Sequence, residues 1–234
     1  GSRRALTWRR KKSCVFVTLR ANQIWLQTKH MSVLPDLTKS TVFQSVHADP
    51  GAVARTNNQA LRLRYFDCRG LAETTRYMLA IGGAEYEDDR FPFTFGTPGD
   101  FTTVKRPEFD AAQEAGDFVA GMGKVPLLEV NGVSVAQSKA IERYVARTLG
   151  MAGVSEIETA QIDAITEHVR DIKQAYQPFR KIEDAAEKAA AMTKWFDQTL
   201  PDFSRKLEAA LPSCVAYIHP DQINYAHVVL YAFY

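Results

Sequence analysis

An Asn-Gly pair set between two short apolar runs constrains this chain more than any other stretch. Leu127-Leu128-Glu129-Val130 and Val133-Ser134-Val135 flank Asn131-Gly132. A two-residue connection that tolerates positive φ at both positions closes a hairpin with the right-handed twist its strands need. Pro126 stands just before the first run, where a missing N–H is dispensable. After Val135 the period lengthens: Ala140-Ile141, Tyr144-Val145 and Thr148-Leu149 recur at helical spacing, with Ser138 as the expected N-cap.

Upstream, Leu61, Leu63 and Tyr65 alternate with Arg62 and Arg64, which predicts a strand entering the turn Asp67-Cys68-Arg69-Gly70. Leu71, Thr75, Met78, Leu79 and Ile81 suit a helix stopped by Gly82-Gly83. Residues 85–91 read as a second strand. The stretch from Phe91 to Lys105 holds Pro92, Gly96, Pro98 and Gly99 and reads as an irregular insertion. Pro107 opens a short helix that ends before Gly116. The order is βαβ-αββα, an α/β unit over 60–149, followed by an all-helical part over 150–234. There Ile157, Ala160, Ala164, Ile165, His168, Ile172 and Tyr176 mark one helix face, with Ser155 as cap. Ala185, Ala189, Met192, Phe196, Phe203, Leu207 and Ala210 mark another, with a kink expected at Pro201. A last helix starts near Asn224 and is still apolar at Tyr234, so the helical domain reads as truncated.

Composition narrows the function classes. At 234 residues, 46% hydrophobic and 24% charged, the chain is globular. No apolar run nears the roughly 20 residues of a membrane span. Cys14, Cys68 and Cys214 are odd in number and widely spaced, which implies neither a disulfide framework nor a metal site and suits a reducing, cytoplasmic setting. The net charge of +2 hides an asymmetry: the first 35 residues hold eight basic and no acidic side chains, leaving 21 basic against 27 acidic in the rest. Residues 1–59 read as a basic, poorly ordered leader and linker. Arg9-Arg10-Lys11-Lys12 is a solvated tail or an organelle address, and neither nucleic acid nor membrane is expected as a partner.

Three stretches in order, YFDCRGLAE at 65–73, GKVPLLEVNG at 123–132 and QSKAIERYVA at 137–146, resemble cytosolic glutathione transferases, nearest the sigma class. The resemblance implies a thioredoxin-like domain followed by a helical one, and a homodimer. It implies glutathione as co-substrate without another cofactor, and a hydrophobic electrophile to which the thiolate is added or which is isomerised. It makes Tyr65 the catalytic residue that donates a hydrogen bond to the glutathione sulfur. Val125 and a cis Pro126 would hold the cysteinyl part, Gln137 and Ser138 the γ-glutamyl end, Lys124 the glycyl carboxylate, and Asp171 the partner subunit's glutathione. Each also has a plain structural reading: Tyr65 as a strand tyrosine, Ser138 as a cap, Lys124 and Asp171 as solvated charges.

The chain departs from the family pattern at Leu71, where an arginine is expected after Arg-Gly, and at His227, where an aspartate would complete a cap with Asn224. Leu71 keeps a second reading open, a catalytically weak binding or structural protein on the same scaffold. Cys68, in a turn before a helix and beside Arg69, opens a third: a thiol transferase or peroxidase whose thiol is acidified by its surroundings.

Overall fold

The computed structural model describes residues 59–97, 101–215 and 223–233. The leader and linker expected over 1–59 lie, apart from Gln59, outside them. Four strands, β1 (Leu61–Phe66), β2 (Glu87–Phe91), β5 (Leu127–Val130) and β6 (Val133–Ala136), form a sheet in the order β2-β1-β5-β6. β1 and β2 are parallel; β5 runs antiparallel to β1 and to β6. The parallel step is made by α1 (Glu73–Ile81), and α2 (Pro107–Glu114) and α3 (Ser138–Thr148) complete a thioredoxin-like βαβ-αββα order. The expected insertion carries a small antiparallel pair of its own, β3 (Thr94–Phe95) with β4 (Val104–Lys105).

Asn131 and Gly132 both take positive φ, 50° and 81°, and Val130 pairs with Val133 across them. The turn is therefore the tight one that the sequence specifies. Leu127 and Leu128 are both fully buried because successive side chains point to opposite faces. Leu128 joins Leu61, Leu63, Met78, Leu79, Ile141 and Val145 on the face covered by α1 and α3. Leu127 joins Phe91, Phe109 and Phe118 on the face covered by α2. Burying each such side chain contributes about 1.5–3 kcal/mol.

Covering the second face also buries Arg64, which alternation alone would send to solvent. Its guanidinium lies over the rings of Phe91 and Phe118 and bonds Asp89 and Asp117, both at 2.9 Å. The pairing makes burial of the charge tolerable.

The helical part begins with α4 (Glu156–Arg180), capped by Ser155, whose Oγ accepts from the Glu158 N–H at 3.3 Å. Its buried face runs through Ile162, Ile165, Val169 and Ile172. This corrects the expected stripe: Ile157, Ala160, Ala164 and His168 are exposed. Two apolar stripes overlap on this helix, and periodicity does not choose between them. α5 (Ala185–Lys194) leads into a π turn, Trp195–Thr199, then α6 (Leu200–Val215). Pro201, where a kink is expected, is the second residue of α6 and follows directly on this widened turn. Trp195, not Phe196, is the core residue, packed on Tyr176 and Phe179. No helix among the described residues is long and apolar enough to cross a membrane.

α7 (Tyr225–Phe233) shares the core of α1, α3 and α4. Tyr225 is buried and its hydroxyl donates to Glu142 of α3 at 2.5 Å. The Glu142 carboxylate, 2% exposed, also takes a 2.6 Å bond from Lys139. At the start of α7 the substitution at His227 leaves a reciprocal cap intact: Asn224 Oδ1 accepts from the His227 N–H, and His227 Nδ1 accepts from the Asn224 N–H. That second bond needs neutral imidazole.

Burial holds the His227 pKa below its ordinary value. The cap therefore contributes its full stability above the unfolded pKa of about 6.5 and loses it as pH falls through the lower folded value. Chemical unfolding between neutral pH and about pH 5 should show a loss on the order of 1 kcal/mol attributable to this cap. His227→Asp, whose carboxylate accepts the same bond down to about pH 4, should remove that part of the acid dependence.

Candidate functional site

Strand register decides what stands at the working end of the sheet. Arg64 pairs with Leu127, and Leu127 with Ala136. One residue further along each strand come Tyr65, Pro126 and Gln137, so these three leave the sheet at the same end. Val125 and Lys124 precede Pro126 there, and Ser138 follows Gln137 as the first residue of α3. Asp171 belongs to α4 instead, exposed in line with Ile157, Ala160, Ala164 and His168.

Tyr65 is 8% exposed, and its hydroxyl accepts a 3.1 Å hydrogen bond from the backbone N–H of Leu71. This uses an oxygen lone pair and leaves the phenolic proton to be donated elsewhere. Burial is the main force on the phenol and pushes its pKa up; the Leu71 N–H and the Arg76 charge pull the other way, and Cys68 adds to the rise. The hydroxyl is protonated at neutral pH, the state a hydrogen-bond donor requires. The Leu71 side chain, where an arginine was expected, points largely to solvent at 58% exposure. Its backbone nevertheless orients the tyrosine.

Gly70 makes that contact possible. It has φ +43°, and a Cβ there would lie 2.6 Å from the Tyr65 hydroxyl oxygen. Cys68 is half-buried and free. Its thiol is shifted up, chiefly by burial and further by Asp67 and Glu73, against the pull of Arg76 and Arg90. This corrects the expectation of an acidified thiol: partial burial outweighs the nearby cations.

The Val125–Pro126 bond is cis. The loop before it is held from α2, where Gln113 Nε2 donates to the Gly123 carbonyl at 2.6 Å. Lys124 is exposed, Val125 half-buried and Pro126 buried.

The N-cap position of α3 is Gln137, not Ser138. Gln137 takes φ 71° and ψ 115°, and no side chain caps the helix. Ile141 N–H bonds the Gln137 carbonyl, while the N–H groups of Ser138, Lys139 and Ala140 are the helix's unpaired donors. Positive φ at a non-glycine residue is uncommon and concentrates at functional sites. Free N–H groups and the helix dipole together form a site suited to a carboxylate.

Sequence reading missed Gly70, Gln113 and Arg76. Arg76 carried the one available signal, a basic residue between the apolar positions Thr75 and Met78 of α1. It is 6% exposed, with bonds to Asp88 and to the Cys68 carbonyl.

Residues 61–147 match the family model "Glutathione S-transferase, N-terminal domain". Over 128 residues the chain is 38% identical to a hematopoietic prostaglandin D synthase of Gallus gallus, covering 55% of this chain and 56% of that protein. It is 36% identical over 117 residues to glutathione S-transferase 1 of Ascaris suum, covering 50% and 48%. The chain thus spans about half the length of these relatives. A Pi-class glutathione S-transferase structure from Onchocerca volvulus superposes with TM-score 0.58 at 29% identity, covering 74% of this chain and 75% of that one. A prostaglandin synthase D structure from Nilaparvata lugens gives TM-score 0.59 at 24% identity, over 74% and 79%, which supports the fold.

Substituting Gly70→Ala places a methyl group against the Tyr65 hydroxyl in a left-handed backbone. Urea unfolding should show a loss of about 1–2 kcal/mol, with displacement of the Tyr65 ring visible as changed near-UV dichroism.

Proposed function

We propose that this chain is a glutathione transferase, a reading supported by the match of residues 61–147 to the glutathione S-transferase N-terminal domain model. It adds the glutathione thiolate to a hydrophobic electrophile, or isomerises one with it. The observation that carries the reading is the Tyr65 hydroxyl, oriented by the Leu71 N–H at the end of the sheet shared with Val125 and the open N-terminus of α3.

In this reading the γ-glutamyl carboxylate sits on the N–H groups of α3 with Gln137 and Ser138, and the cysteinyl backbone pairs with Val125. Lys124 serves the glycyl carboxylate. A free thiol of pKa near 8.5 must drop about two units to ionise at neutral pH, roughly 2.7 kcal/mol. A hydrogen bond to a charged acceptor contributes about 1.5–3 kcal/mol. Tyr65 can therefore supply most of the shift while keeping its own proton, and neither a general base nor a further cofactor is required. The exposed ridge of Ile157, Ala160, Ala164 and His168 supports a homodimer in which Asp171 reaches the partner's glutathione. The relative named as a prostaglandin D synthase supports a lipid-like substrate.

The exposed Leu71 side chain favours a second reading, a binding protein on the same scaffold with weak turnover. Retention on immobilised glutathione, followed by conjugation of an aryl halide, separates the two. Retention with turnover that falls about ten- to hundredfold in Tyr65→Phe, the loss of one charged hydrogen bond, supports the transferase. Retention without turnover supports the binding protein. Turnover unchanged in Tyr65→Phe but abolished in Cys68→Ser would transfer the chemistry to Cys68.

A further inference from the structure

Arg76 is a buried cation that the chemistry above does not use. Its guanidinium carbon lies 6.0 Å from the centre of the Tyr65 ring, over the ring's face. Nη1 donates to the Cys68 carbonyl at 2.7 Å, and Nε faces both oxygens of Asp88 at 3.2 Å. Nη2 is buried and without a partner among the described residues. Burying an arginine with an unmatched N–H group is costly, and packing alone does not offset that cost.

We propose that Arg76 is the positioning residue that supplies the positive field for Tyr65, a task the side chain at position 71 cannot perform in this chain. The inference rests on Tyr65 acting as the hydrogen-bond donor to glutathione. A positive charge over the ring face draws π density toward itself and stabilises the negative charge that grows on the phenolic oxygen as its proton is shared, so the O–H becomes more acidic. That polarisation makes the hydroxyl a stronger donor, and a stronger donor stabilises the thiolate more.

The carboxylates around Arg76 offset it only in part at the ring. Asp88, from β2, is shared with Arg90, whose Nη2 approaches it at 2.7 Å. Glu73, on the same helix, is shared with Arg69; both arginines stand 3.4 Å from it. Asp67 in the turn is taken by Arg90 at 3.1 Å. The Cys68 thiol and the Tyr86 phenol, the titratable groups that also feel Arg76, are both raised chiefly by burial and stay neutral near pH 7. Each of these carboxylates thus has a cation other than Arg76, and Arg76 is the guanidinium over the Tyr65 ring.

The decisive measurement is the ionisation of bound glutathione, followed by thiolate absorbance against pH, with glutathione affinity measured separately by calorimetry. Arg76→Gln should raise the bound thiol's pKa by about one unit, tenfold less thiolate at neutral pH, with affinity nearly unchanged. Arg76→Lys, which keeps the charge, should recover most of the difference. Asp88→Asn leaves Arg76 less offset and should lower the thiol pKa by a few tenths, so the test survives if Arg76→Gln fails to fold. Variants that bind glutathione with an unmoved thiol pKa would overturn this role alone. Failure of the unaltered chain to bind glutathione would overturn the transferase reading together with it.

Discussion

The antiparallel pairing of β1 with β5 is the constraint on which everything else rests. Leu61 to Arg64 run against Val130 to Leu127, and this register sets the residue after Arg64 beside the residue before Leu127. Tyr65 and Pro126 are neighbours for that reason and no other. A slip of one residue would turn every side chain to the opposite face, sending Leu63 and Leu128 out of one core and Leu127 out of the other. The tight Asn131-Gly132 turn then returns β6 without slack, so the start of α3 falls at the same end. One register and one turn bring together residues more than 70 positions apart in the chain.

What was legible in the sequence is what local chemistry decides. The Asn-Gly turn, the Ser155 cap, the glycine stop after α1 and the proline start of α2 all stand where their residue types require. Tertiary contacts decide the rest. Arg62 and Arg64 look equivalent on alternation, yet α2 covers one face and Arg64 becomes a buried charge between two aromatic rings. On α4 two apolar stripes compete, and only packing selects Ile162-Ile165-Val169-Ile172 over the row beginning at Ile157. Trp195 takes the core place expected of Phe196, and Ala185 and Ala189 are exposed as well, so packing has turned the expected stripe outward before the π turn begins.

The candidate site divides along the same line. Tyr65, Val125, Pro126, Gln137 and Ser138 could be named from their motifs, and register brings them to one end. Their working geometry could not. The positive φ of Gln137, the Leu71 N–H on Tyr65 and the Gln113 grip on Gly123 are each set by atoms distant in sequence or by backbone angles that residue type does not foretell. The missing arginine at 71 illustrates the point: its side chain is absent, but the backbone donor at that position remains.

The bond between Tyr225 and Glu142 carries a last consequence. Glu142 lies one helical turn from Ser138, and its partner is on the final described helix. The end of α3 open to an anion and the C-terminal helix are thus joined through a single rigid turn and one short hydrogen bond. Undocking α7 would strip the buried Glu142 carboxylate of the Tyr225 hydroxyl and leave Lys139 as its remaining partner among the described residues, a cost that falls on α3 as much as on α7. Two segments separated by more than 80 residues are thereby tied to one buried carboxylate.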